Sequence, residues 1–301
     1  MQNTARISRS LRATRRRENI SGYLFMAPAL VFFLGFVVFP MVMCLFNSTF
    51  RYTLSEFTFV GLHNYVRIFQ DVKFGISLVN TLVIVLISVP FTCLFSLWVA
   101  SAIYRMRQLH TSFFRCVFYL PVVTGSVAVT VVWKWMFNPY YGLLNYVLTA
   151  LGLISRNMNW LGSVDTALGC IITILLTTSI GQPIVLYVAA LSNVDPSLVE
   201  AAQVDGATNL QTFWRIKWPQ VMPTTLYILI ITTINSFQCF ALIDLLTSGG
   251  PRDSTLTIMY YIYHNAVKLN DFGYGCAMGI ILAAIIALFS AAQFRLAKSG
   301  N

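Results

Sequence analysis

Few side chains in this sequence are placed to do chemistry, and those few suit binding rather than bond breaking. Thr232, Asn235 and Gln238 recur every third residue inside an apolar run, which aligns a hydroxyl and two amides along one helix face. Gln182 adds a further amide beside Thr178 in the apolar run before it. Such groups match the donors and acceptors of a saccharide or polyol. Small and hydroxylated residues also glue membrane helices together, a reading that suits Ser88, Thr92, Ser96, Thr173 and Thr177 at least as well. Catalytic constellations are missing. The sequence contains no G-x-x-x-x-G-K-[ST] loop, no H-E-x-x-H and no G-x-S-x-G elbow, and His63, His110 and His264 stand apart. With no His, Cys or carboxylate cluster at metal-ligand spacing, neither hydrolysis nor a resident metal is expected of this chain.

The other informative residues lie in a polar interruption, EAAQVDGATNLQTFWRIKWPQVMP from Glu200 to Pro223. Asp195-Pro196 reads as a helix start and Gly206 as its end. On that short helix Ser197, Glu200 and Gln203 share one face, expected to meet water, and Leu198, Ala201 and Ala202 another, suited to close contact. Thr208-x-x-Gln211 is a capping-box pattern that opens a second helix, which Pro219 is expected to stop. The product is a helix, a glycine bend and a helix over about 192–220, too polar to cross a bilayer.

This stretch resembles the cytoplasmic EAA loop of binding-protein-dependent ABC importer permeases. Glu200, Ala201, Ala202, Gly206, Ile216 and Pro219 fall at the family's spacing, and Trp218 stands where Leu is usual. The resemblance implies that these six residues couple the chain to a separate cytoplasmic ATPase. ATP and Mg would then sit on that partner and no cofactor on this chain. Gly61-Leu62-x-Asn64-Tyr65, Asn80-Thr81, Trp133 to Gly142 with Asn145, and Leu246-Thr247-x-Gly249-Gly250-Pro251 are similar to the carbohydrate branch of these permeases. That likeness implies a sugar or related polyol as cargo, a second and different permease chain, an extracytoplasmic solute-binding protein, and the cytoplasmic membrane of a bacterium or archaeon. The residues alone leave open a permease for a non-sugar solute, or a secondary transporter that needs no ATP.

The elements that must position these groups follow from composition. Of 301 residues 57% are hydrophobic and 10% charged, more apolar surface than one soluble core can hide. Six runs of about twenty residues or more suit transmembrane helices: Tyr23–Phe46, Phe74–Tyr104, Phe114–Phe137, Thr166–Leu191, Val221–Asp244 and Phe272–Phe294. The expected fold is an all-α membrane protein of about six spans. Three segments follow: a basic one over 1–22, a permease domain over 23–296 and a tail over 297–301. The net charge of +10 gathers at Arg6, Arg9, Arg12, Arg15, Arg16 and Arg17 and in a loop holding Arg105, Arg107 and Arg115. That distribution is positive-inside, placing both termini and the Glu200 loop in the cytoplasm and arguing against nucleic acid as a partner. Trp133, Trp135, Phe137, Tyr140 and Tyr141 read as an interfacial aromatic belt or a stacking surface for sugar. Six scattered cysteines read as small core residues.

Overall fold

The computed structural model describes residues 21–299, with side chains to Leu296. The arginines from Arg6 to Arg17 and the side chain of Lys298 lie outside that range. Five helical runs are long and apolar enough to cross a membrane: Ser21–Asn47 (α1), Val72–Ile103 (α3), Val164–Ser192, Asn209–Leu246 and Phe272–Leu296. Between α1 and α3 come a hairpin, β1 (Phe50–Tyr52) and β2 (Phe57–Phe59), and a short helix α2 (His63–Gln70).

The third expected span is broken. Phe114–Phe137 is divided between α4 (Gln108–Val123) and α5 (Ser126–Met136), which meet at 95°. Thr124 and Gly125 are both extended (ψ 125° and 144°), and Pro121, which lacks an N–H, already weakens the last turn of α4. Helix α4 also starts earlier than expected. Arg115 therefore sits two turns into a helix, and the connecting loop shrinks to the residues between Ile103 and Gln108.

After α6 (Leu143–Ala150), the fourth span joins α7 (Val164–Ser179) to α8 (Gly181–Ser192). A Cβ on Gly181 would lie 2.4 Å from the Phe118 carbonyl oxygen and 2.8 Å from Val122 Cγ2, so glycine is what lets α4 and α8 touch. The polar stretch forms α9 (Pro196–Val204) and α10 (Asn209–Thr212).

Pro219 does not end the second helix of that stretch. The chain passes through a π turn, Phe213–Lys217, directly into α11 (Trp218–Phe237), with the Trp218 N–H bonded back to the Phe213 carbonyl. Helix α1 passes Pro40 in the same way, through a π turn at Leu34–Val38. In both, a turn widened by one residue takes up the register that a proline would otherwise break. Helices α12 (Ala241–Leu246), α13 (Ile258–Tyr263) and α14 (Phe272–Ser299) complete the described chain.

Two buried clusters hold the bundle. One gathers Ile171, Phe237, Ile243, Ile258 and Tyr274 toward the hairpin end, and the other Ile103, Ile184, Tyr187, Leu191 and Val221 toward the end carrying α9. Helix α1 buries nothing in its apolar window, as expected of a helix bathed in lipid. It leads into the hairpin, the hairpin packs on the start of α14 where Gly273 meets Phe50, and α3 ends at Tyr104 beside Lys217. Ser21, the far end of α14 and the α9 segment therefore lie at one end of the bundle, and the hairpin at the other.

The hairpin end is tied by side chains within the carbohydrate-like segments. Asn64 donates to the carbonyls of Ser48 and Phe50 at 2.8 and 2.9 Å. Asn80 donates to those of Asp253 and Leu256, both at 3.0 Å. Asn145 holds Met158 and accepts from Trp160 Nε1 at 2.8 Å. These amides satisfy loop backbone that has no ladder of its own. The hairpin and α2, α6 and α13 are absent from the sequence expectations, being too short for periodicity to reveal.

Candidate functional site

Helix α9 begins where the sequence places it. Asp195 accepts from the Ser197 N–H at 2.9 Å and Pro196 fills the first turn. It ends in a Schellman motif, with the Ala207 N–H on the Ala202 carbonyl at 2.9 Å and the Gly206 N–H on that of Gln203 at 3.1 Å. Gly206 takes φ +81° to close it. Thr208 and Gln211 then form both bonds of a capping box. The result is an elbow, one helix joined through a left-handed residue to the start of the next.

Glu200 and Gln203 are exposed, as expected of the face that meets water. Those two, with Val199, turn toward a hollow against the bundle, while Leu198, Ala201 and Val204 (88% exposed) point away. Ala202 is half-buried, and Ile216 and Pro219 lie at the junction with α11. Trp218, the departure from the family pattern, packs on the cluster around Leu191 and Val221, with its ring 5.6 Å from that of Trp214. An outward apolar surface on a helix pinned at both ends is a docking surface in form.

Within the bundle, Gln182 and Thr178 from α7–α8, Thr232 and Asn235 from α11, and Val122 from α4 line one cavity of about 150 Å³. Tyr227 and Pro183 add to its wall. The amides of Gln182 and Asn235 make no hydrogen bond among the described residues, and both are exposed in the single chain. Gln238 does not join them. Helix α11 ends at Phe237 and Gln238 is its C-cap, so the three-residue rhythm runs out one turn short.

Most stripe hydroxyls bond within the bundle, although the buried Thr92 hydroxyl has no partner among the described residues. Ser88 and Ser236 hydroxyls meet at 2.9 Å across α3 and α11, and Ser96 donates to the Ile180 carbonyl at 3.3 Å. Thr173 and Thr177 bond back to their own helix. Gln293, which sequence reasoning passed over, donates to Thr233 at 2.7 Å and ties α14 to α11. Of the aromatic group, Trp133 stacks on Phe137, whereas Trp135, Tyr140 and Tyr141 line a hollow with Tyr146 at the hairpin end. Among the described residues no three His, Cys, Asp or Glu side chains are grouped to hold a metal.

A family model described as "binding-protein-dependent transport system inner membrane component" matches residues 73–299, from the start of α3 to the end of α14. The chain belongs to that family. This permease is 32% identical to the probable ABC transporter permease protein YurN of Bacillus subtilis, over 95% of this chain and 98% of the relative. To the multiple sugar-binding transport system permease protein MsmF of Streptococcus mutans it is 33% identical, over 92% and 95% of the two chains. The crystal structure of a bacterial ABC transporter involved in the import of the acidic polysaccharide alginate contains a chain with the same fold, at TM-score 0.80 and 23% identity, covering 95% of this chain and 98% of that one. The permease is thus a multi-pass membrane component of an ABC importer, and its elbow falls inside the matched region.

Proposed function

We propose that this permease moves a sugar or related polyol across the cytoplasmic membrane and supplies one wall of the route. The observation that carries the reading is the cavity where Gln182, Thr178, Thr232 and Asn235 converge inside apolar spans. Amides left without partners in a bilayer are costly, and a hydroxylated cargo satisfies them. The relatedness to a multiple-sugar permease over nearly the whole chain supports the same cargo class. A second, non-identical permease would close the cavity's open side.

The elbow would dock on a cytoplasmic ATPase through its outward face, with Glu200, Ala201, Ala202, Gly206, Ile216 and Pro219 transmitting the motion. ATP and Mg belong to that ATPase. At the hairpin end, an extracytoplasmic binding protein delivers cargo. Nucleotide binding closes the ATPases and tilts the bundle, and the coupling is mechanical because the two packings differ in affinity for the closed ATPase. The arginines of the amino terminus and of the loop holding Arg105 and Arg107 support an orientation with both termini in the cytoplasm.

Proteoliposomes holding the co-purified complex, supplied with binding protein and a panel of labelled sugars, test this. ATP-dependent uptake of a saccharide, weakened by Asn235→Leu with assembly intact, is expected. Uptake that proceeds without ATP, or a complex that never contains an ATPase, overturns the reading.

A further inference from the structure

The hollow behind the elbow has a charge pattern that the cavity does not use, and it shares only Glu200 with the coupling residues. It measures about 380 Å³, within the usual range of small-molecule sites, and lies where three apolar helices end or begin. Helix α3 ends at Ile103 just before it, α8 ends at Ser192 on its rim, and Lys217 leads into α11. That places it at the boundary between apolar and polar zones. The Lys217 ammonium donates to Tyr104 OH at 2.8 Å, and the exposed Arg105 guanidinium lies 5.6 Å from the same ring. Neither cation has a carboxylate partner among the described residues, whose ion pairs all involve residues at the hairpin end. Glu200 and Gln203, both exposed, line the same hollow from α9. Glu200 shares the hollow with both cations yet is ion-paired to neither. The buried Leu191 and Val199 add apolar lining.

Two cations, a phenol and a carboxylate that share one hollow without pairing fit a ligand that is anionic at one end and a hydrogen-bonding cation at the other. We infer that the hollow binds the phosphoethanolamine headgroup of a membrane phospholipid. Its phosphate oxygens accept from Lys217 and Arg105, its primary ammonium donates to Glu200 and Gln203, and its glycerol end rests on Leu191 and Val199. A glycerol headgroup offers Glu200 no positive charge. A choline headgroup brings a cation without N–H donors. A bound headgroup spans the space between elbow and bundle, and so sets the elbow's resting tilt. That last consequence rests on the elbow being the ATPase dock; the site itself does not.

The test uses the full complex in phosphatidylcholine nanodiscs containing a trace of phosphatidylethanolamine with a photoreactive acyl chain. Labelling of this chain that unlabelled phosphatidylethanolamine competes away, but phosphatidylglycerol does not, is expected. Lys217→Gln and Arg105→Gln should each lower labelling about tenfold, the loss of one charge-assisted bond, and Lys217→Arg should restore it. Because Arg105 is exposed, its variant tests the site even if Lys217→Gln misfolds. Equal competition by phosphatidylglycerol would reduce the hollow to a general basic patch and overturn the assignment. Displacement by inorganic phosphate alone would make it a free-anion site, also overturning it. Undiminished labelling in the double variant would do the same. Failure here leaves ATPase assembly untouched, whereas failure of the docking reading leaves labelling untouched.

Discussion

Replacing Gly206 probes the elbow with little else disturbed. A Cβ at this position meets nothing within 4 Å, so any penalty comes from the backbone, which holds φ at +81°. An L-residue in that left-handed region costs about 1–2 kcal/mol. If the bent elbow is the form that docks, its population falls about 5- to 30-fold. Asn tolerates the left-handed region and should keep most activity, Ala should be intermediate, and the β-branched Val should be lowest. The assay is ATP-dependent uptake by the reconstituted complex, alongside ATPase recovery on a tag fused to this chain. Melting of the solubilised chain should hardly change, since Gly206 is exposed and outside both clusters. Wild-type uptake in Gly206→Val with a normal complex would refute the reasoning. So would equal losses for Asn and Val, because size rather than φ would then be at fault.

Other expectations follow from the same structure. Asn235→Leu and Gln182→Leu should each lower sugar uptake about 3- to 10-fold, the worth of one hydrogen bond to cargo, with assembly unchanged on gel filtration; Gln238→Leu, outside the cavity, should do less. Gly181→Ala forces α4 from α8 and should cost about 1–3 kcal/mol, seen as a lower melting temperature. Ser88→Ala strands the Ser236 hydroxyl and should destabilise by about 1–2 kcal/mol, and adding Ser236→Ala should recover much of the loss in a melting cycle. Asp71 supplies a pH expectation. Burial alone would raise its pKa, but hydrogen bonds from Tyr261, Tyr274 and the N–H groups of Lys73 and Phe74 outweigh that and hold it below the ordinary range. A depressed carboxyl contributes stability that is present above its unfolded value and lost as pH falls through the folded one. Melting temperature should therefore drop below about pH 4, and Asp71→Asn should shrink that drop.

Several features of this permease were legible before any coordinates. Caps are local chemistry: Asp195-Pro196, Gly206 and Thr208-x-x-Gln211 each bond within a few residues, so their positions fix the elbow wherever the rest of the chain goes. Apolar length likewise marks α1 and α3 to within two residues at each end, and the start of α14, because crossing a bilayer needs an apolar run of that length. Hydropathy carries no record of direction, so the 95° break at Thr124–Gly125 left no trace in an apolar run that continues across it. Nor could spacing show that a π turn carries the chain past Pro219, since that depends on how Trp218 seats against Leu191 and Val221.

Which polar groups gather was also a tertiary matter. Gln182 and Asn235 lie 53 residues apart and meet only because α8 and α11 pack side by side, while Gln238, next in the same rhythm, falls just past the end of its helix. Ser88 found Ser236 and Ser96 the Ile180 carbonyl instead of a cargo, through distances no periodicity encodes. The sequence by itself determined what is local: the long apolar helices of a membrane chain and the elbow's bend, set by bonds that close within one turn. The tertiary structure decided which face of the elbow meets the bundle and which amides are left without partners, because both depend on contacts between residues far apart in the chain.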